Sequence, residues 1–175
     1  IEVLRGPLEN RCVRLSRAKG TAVYPASFSL IAAANPCPCG YLGHPSRPCM
    51  CTPSQVDRYR KKLSGPMLDR IDLTVWTNPV DPEMLADTQP GESSKAVRSR
   101  VNTARTMQLE RFHGRPESCN AELTGDEVRS STKPTADALA TLQRVCEVHS
   151  LSARVWSRTL KVARTIADLA ESERV

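Results

Sequence analysis

Aromatic residues are scarce in this chain and long apolar runs are missing. Phe, Trp and Tyr make up 4% of its 175 residues. No apolar stretch approaches the roughly 18 residues of a membrane-spanning helix, which excludes such a span. No secretory signal is present and the chain opens at Ile1 without a methionine, as a processed product or a fragment does. Phosphate-cradling G-x4-G-K-[ST] is absent, and no strand ending in acidic residues precedes Asn35, so this chain alone lacks the parts that hold a triphosphate and its magnesium. Acidic residues are few at the start: residues 1–62 carry ten Lys/Arg against three Asp/Glu, whereas residues 63–175 carry fifteen against sixteen. A net charge of +6 therefore lies wholly in the first third, and a polyanion, nucleic acid or a nucleotide, is the partner to weigh against a merely basic surface.

Hydrophobic content of 39% and charged content of 25% suit a globular protein with one core, or one core and a small helical appendage. Residues 1–9 read as the tail of an amphipathic helix broken near Gly6-Pro7. Arg11–Ser16 and Ala22–Tyr24 flank a Gly-containing turn, predicting a β-hairpin with Arg11, Arg14, Arg17 and Lys19 on or near it. Phe28–Ala34 lacks polar alternation and suits a strand buried on both faces. Thr52-Pro53-Ser54-Gln55 carries the N-cap, N1 and N3 signals of a helix reaching about Leu63, where Gly65-Pro66 stops it. Ile71–Trp76 reads as another strand. A loop rich in Pro, Asp and Gly runs from Asn78-Pro79 to Gly91 and sets a boundary between residues 1–80 and 81–175. Beyond it come three helices: Ser94–Phe112 with Val97, Val101, Ala104 and Gln108 on one stripe, Thr135–Val148, and Ser152–Ala170 with Val155, Trp156, Leu160, Ala163, Ile166 and Ala167. The last two, joined by a short turn, also fit a helix-turn-helix.

Seven cysteines is an odd number, and four fall within fifteen residues as C-x-C-x9-C-x-C, Cys37, Cys39, Cys49 and Cys51. Reduced cytosolic thiols suit this pattern better than a secreted disulfide framework. Four thiolates can close a tetrahedral zinc site. Structural zinc sites more often use C-x2-C, in which backbone amides cap the sulfurs. A structural zinc clip is the reading taken, against four reduced thiols in a Pro-rich loop. His44 could replace one ligand. Cys12, Cys119 and Cys146 read as small core residues. Asn35, directly after the apolar run, can hold a water and a phosphate oxygen through its amide, or simply begin a turn before Pro36. Arg70 in Leu68-Asp69-Arg70-Ile71-Asp72 can reach a neighbouring subunit's phosphate, or pair with Asp69, Asp72 or a more distant carboxylate. Arg154 occupies the first turn of its helix, where the dipole disfavours a cation.

These segments together resemble the magnesium-chelatase-like AAA+ ATPases of the ComM/YifB type. The resemblance rests on Leu4–Glu9, Tyr24-Pro25-Ala26, Ala34–Gly43, Cys51-Thr52-Pro53, Arg58-Tyr59-Arg60, Ser64–Leu73, Leu151–Arg154 and Lys161–Leu169, and is loosest at 113–135. It implies an α/β fold: the C-terminal half of an AAA+ P-loop core, with parallel-sheet strands and a β-hairpin, then an all-α lid bundle. It implies that Ile1 falls just after the Walker B strand of a longer protein using ATP and Mg2+. It matches Asn35 to sensor 1, Arg70 to the arginine finger supplied to the next subunit, and Arg154 to sensor 2. The basic hairpin corresponds to one that faces the pore in related rings. The implied activity is that of a cytoplasmic hexameric motor on single-stranded or branched DNA, a branch-migration helicase of natural transformation. Two alternatives are a non-catalytic DNA-binding and assembly module and a chelatase subunit serving porphyrin metallation; the thiol loop and basic hairpin fit the second less well.

Overall fold

The computed structural model describes residues 2–80 and 90–175. Residues 81–89, which carry most of the expected boundary loop, lie outside the described residues. The chain divides into two compact units, Ile1–Leu85 and Ala86–Val175. Among the described residues the fold is α/β, with seven α-helices and one two-stranded antiparallel sheet.

The first unit opens with a short 3-10 turn, Glu2–Leu4, and helix α1, Arg5–Asn10. The helix runs through Gly6-Pro7 and is not broken there. Pro7 sits in the first turn, where backbone N–H groups have no intrahelical partner, so its missing donor costs nothing. Arg11 closes the helix in the left-handed region (φ 52) and donates its N–H to the Pro7 carbonyl. The hairpin forms as expected, β1 (Cys12–Arg17) pairing with β2 (Gly20–Pro25) in a register from Cys12 opposite Pro25 to Arg17 opposite Gly20. A two-residue turn, Ala18-Lys19, joins them.

Neither expected parallel strand forms. Phe28–Ala34 and Ile71–Trp76 make no sheet ladder, and Ile31 and Val75 are 95% and 79% exposed. The apolar pattern reports a preference for burial, but a strand exists only when its N–H and C=O groups meet a neighbour. Among the described residues neither segment pairs in a sheet.

Helix α2, Pro53–Arg60, begins on a complete capping box: Gln55 N–H donates to Thr52 Oγ1 (3.3 Å) and Thr52 N–H to Gln55 Oε1 (2.9 Å). It ends three residues before the expected Leu63. Gly65-Pro66, expected as a stop, instead opens a second short helix. Ser64 caps α3, Gly65–Leu68, by accepting from Met67 N–H (3.2 Å), and Pro66 occupies its first turn.

The second unit is helical. Ser93, Thr135 and Ser152 each cap a helix through the hydroxyl, starting α4 (Ser94–Arg111), α6 (Ala136–Val148) and α7 (Ala153–Leu169). Between α4 and α6, in the stretch of loosest resemblance, lie a 3-10 turn at Asn120–Glu122 and α5, Glu127–Thr132, which the sequence reading missed. Phe112, Leu123, Val128, Leu142 and Leu160 form the core, with Cys146 and Trp156 packed against it. The buried stripe of α7 is Leu160, Arg164, Ala167 and Asp168, while Ile166 is mostly exposed. That stripe faces its own unit.

Candidate metal centre and nucleotide-facing residues

The loop from Asn35 to Thr52 is irregular, and two tight turns fold it. Gly40 N–H donates to the Cys37 carbonyl (3.0 Å) and His44 N–H to the Tyr41 carbonyl (3.0 Å). Gly40 takes φ +83, a left-handed conformation that glycine adopts without penalty. Arg47 lies over the Tyr41 ring at 5.4 Å and donates to its hydroxyl (3.0 Å). The turns return Cys49 and Cys51 to the side of Cys37 and Cys39. The sulfurs of Cys37, Cys39 and Cys49 are 3.4, 3.7 and 3.6 Å apart, and all four lie within 4.8 Å of one another.

These separations discriminate. A disulfide needs about 2.05 Å, and all seven cysteines are free. A tetrahedral ion with metal–sulfur bonds of about 2.3 Å has S···S edges of about 3.8 Å. The thiols therefore stand at nearly the spacing of a mononuclear four-thiolate site. His44 is not part of it: its Nδ1 accepts from the backbone N–H groups of Ser46 and Arg47, both at 3.2 Å.

Backbone amides on both legs of the loop lie near enough to the sulfurs to shift the thiols despite the C-x-C spacing. Backbone N–H groups of Tyr41 and Met50 pull the Cys39 thiol down to about 6. Burial pushes Cys37 up, but amides of Leu42 and Gly40 and the Cys49 thiol outweigh it, and its net shift is downward. At Cys51 the Cys39 amide lowers the value, yet burial and three neighbouring sulfurs push it up to about 12. At Cys49 the Cys51 amide also pulls down, and burial with the Cys39 and Cys37 sulfurs overcomes it, leaving a raised value. The four cannot all ionise side by side without a cation. A groove of about 630 Å³ adjoins the thiols, with Met50, Arg58, Tyr59 and Lys62 along it. Its two cations face a site that would carry a net charge of −2 when four thiolates hold a divalent ion.

Asn35 is exposed, two residues before Cys37. A Cβ on Gly40 would stand 4.0 Å from the Asn35 carboxamide carbon, so the turn of the thiol loop comes close to this side chain. Arg70 follows α3. Its side chain is 7% exposed, ion-paired with Glu9 and hydrogen-bonded to the Pro66 carbonyl, while its Nε is buried without a partner. Of the readings open for Arg70, the structure contains the pair with a more distant carboxylate. Arg154 belongs to the second unit, exposed in the first turn of α7 after the Ser152 cap. In the hairpin, alternation puts Arg14 on one face and Arg17 on the other. Lys19 lies in the turn and Arg11 outside the strand, so the four basic residues do not share one face.

Two features escaped the sequence reading. Glu9 carries no local signal as the partner of a residue 61 positions away. In the second unit, Asp168 is fully buried and accepts from Arg111, Arg164, Asn120 and Gln108. The i,i+4 spacing of Arg164 and Asp168 was the one local clue.

The magnesium chelatase, subunit ChlI family matches residues 1–85, and its ChlI C-terminal family matches residues 91–175. The chain belongs to the magnesium-chelatase-like family. Among its relatives are the uncharacterized protein YifB of Escherichia coli, 42% identical over 175 residues, and an uncharacterized protein of Mycobacterium tuberculosis, 41% identical over 172. Competence protein ComM of Haemophilus influenzae is 37% identical over 177 residues. These alignments take in 97–100% of this chain and 33% of each relative. This magnesium-chelatase-like chain thus spans about a third of the length of the curated relatives it matches.

Proposed function

We propose that this chain is the sensor, arginine-finger and lid portion of a hexameric AAA+ ATPase that acts on DNA in the bacterial cytoplasm. The observation that carries the reading is the match to competence protein ComM over 100% of the chain, through both units. Residues 1–80 belong to the ATPase core and 81–175 to the linker and lid. ATP supplies the phosphoryl group, with Mg2+ neutralising its charge. Asn35 presents an amide that orients the attacking water. Arg70 stabilises charge on a neighbouring subunit's nucleotide, and Arg154 adds a cation from the lid. Amide and guanidinium groups suit phosphate oxygens, not a magnesium shell. The one cluster of metal-binding side chains among the described residues is the thiol group, too soft for Mg2+ and suited to a structural zinc ion. Arg70 is held here by Glu9 and the Pro66 carbonyl, so serving a neighbouring subunit's phosphate requires it to exchange that carboxylate for the more highly charged phosphate.

The test is Arg70→Ala in a protein of the relatives' length carrying this chain. In phosphoryl transfer a supplied arginine contributes about 10³–10⁵ in rate, so ATP turnover falls at least 10³-fold while nucleotide still binds. Wild-type turnover in that variant refutes the finger assignment. The exposed basic hairpin supports a second reading, a DNA-binding and assembly module without catalysis. That reading predicts no ATP turnover even with Arg70 intact.

A further inference from the structure

We propose that the ion held by Cys37, Cys39, Cys49 and Cys51 sets the position of the Asn35 amide, making the thiol loop a metal-dependent positioning element. The inference rests on the zinc and Asn35 readings above. Its support is in how little else holds this part of the chain. Among the described residues the first unit buries only Cys37 and Met67 as apolar side chains, whereas the second has a continuous core. Across residues 27–51 the only backbone–backbone hydrogen bonds among described residues are the two turn bonds at Gly40 and His44. A segment so sparsely bonded cannot offset its ordering entropy by packing, and small thin-cored regions use metal staples for this reason.

The covalent path makes the coupling short. Asn35 is joined to Cys37 through Pro36, whose ring fixes one backbone dihedral. Gly40, in the turn between the two ligand pairs, lies near the Asn35 side chain: a Cβ there would meet its carboxamide carbon at 4.0 Å. On the other leg, Cys51 precedes Thr52, the cap of α2. One ion would thus tie the residue that orients water to the start of a capped helix, closing a fifteen-residue loop. With no ion, the thiols that stay protonated hold one another only weakly, and the loop loses its four-way cross-link. The cysteines act through Asn35 and are positioning residues.

The experiment uses the 15N-labelled 175-residue chain loaded with Zn2+, then stripped with a chelator, then reloaded with Zn2+ or with larger Cd2+. The expected result is one zinc per chain and a single Asn35 side-chain amide signal that broadens or splits on stripping, returns with Zn2+ and shifts with Cd2+. Asn120, bonded to Thr165 and Asp168 in the second unit, stays unmoved in all states. If the chain takes up no zinc, the zinc reading fails and the inference with it. If zinc binds and Asn35 is indifferent to its removal and to Cd2+, the positioning role is overturned while the zinc site stands. Should stripping also disturb Asn120, the Cd2+ exchange, which keeps the loop cross-linked, decides by the same criterion. In the longer protein, stripping lowers kcat on the order of 10²-fold with nucleotide KM unchanged, and Asn35→Ala adds no further loss. Additive losses there would count against coupling.

Discussion

A carboxylate sealed from water survives only with partners, and Asp168 has four. Burial pushes its carboxyl up, but hydrogen bonds from Arg111 and Asn120 and the charges of Arg111 and Arg164 outweigh it and hold the value below the usual aspartate range. Arg164, itself buried, directs its remaining donors to the carbonyls of Ser172 and Glu173, so one residue pair joins the core to the C-terminal tail. Asp168→Asn leaves Arg164 buried beside a neutral group, and breaking a buried pair costs about 3–5 kcal/mol. Urea unfolding of the 175-residue chain should show that loss. Because the folded value is depressed, the contribution is present above the ordinary aspartate range and disappears as pH falls through the lower folded value. Acid unfolding of the wild type should therefore be steeper below about pH 4 than that of Asp168→Asn. At the thiols the sign is opposite. Cys49 and Cys51 are raised, Cys51 to about 12, so both are protonated at pH 7 without metal. Zinc loading at pH 7 must release at least these two protons, and zinc affinity must rise with pH. Titration calorimetry in buffers of different ionisation enthalpy measures the count; release of none would mean the thiols are not the ligands.

Elements with a self-contained signal were legible in the sequence. The hairpin, the Thr52 capping box and the three long helices of the second unit depend on residues within a few positions of each other, and each formed close to where its signal lay. The thiol cluster was legible for the same reason. Phe28–Ala34 and Ile71–Trp76 were not, because a strand is completed by a partner and the pattern of one segment says nothing of whether a neighbour is present. Arg70–Glu9 was hidden by sequence distance, and α7's core stripe by charges whose burial is offset through pairing. The hairpin makes its own prediction. It is exposed over most of both faces, and Arg14 and Arg17 point to opposite sides, so a strand of DNA cannot contact both from one side of the ribbon. If the tip is the contact, Arg17→Glu with Lys19→Glu lowers DNA affinity and reduces the salt slope by roughly 0.7–0.9 for each phosphate no longer neutralised, while Arg14→Glu does much less. Filter binding across salt concentrations measures this; equal effects of Arg14→Glu and Arg17→Glu would mean that DNA wraps the hairpin.

For the molecule as a whole, charge distribution decides how a polyanion meets it. The surplus of positive charge is densest in residues 1–62, whereas the first unit as a whole carries eleven Lys/Arg against seven Asp/Glu and the helical unit fourteen against twelve, so a polyanion would be drawn first to the N-terminal third by its charge density. A zinc-loaded four-thiolate site takes about two charges from that surplus, by the formal charges of Zn2+ and four thiolates. Arg11, Arg14, Arg17 and Lys19, on and beside the hairpin, can then neutralise up to four phosphates. With four neutralised, the observed association constant should fall about 50-fold for single-stranded and about 150-fold for duplex DNA between 50 and 200 mM monovalent salt. The 175-residue chain is sufficient for this measurement, since none of these residues depends on nucleotide. A chain that binds DNA equally at both salt concentrations would not be held by phosphate contacts, and the basic first third would be a solvated surface with no nucleic-acid role. A steep slope that survives Arg17→Glu with Lys19→Glu would instead move the contact to other cations, first among them Arg58 and Lys62 beside the thiol site.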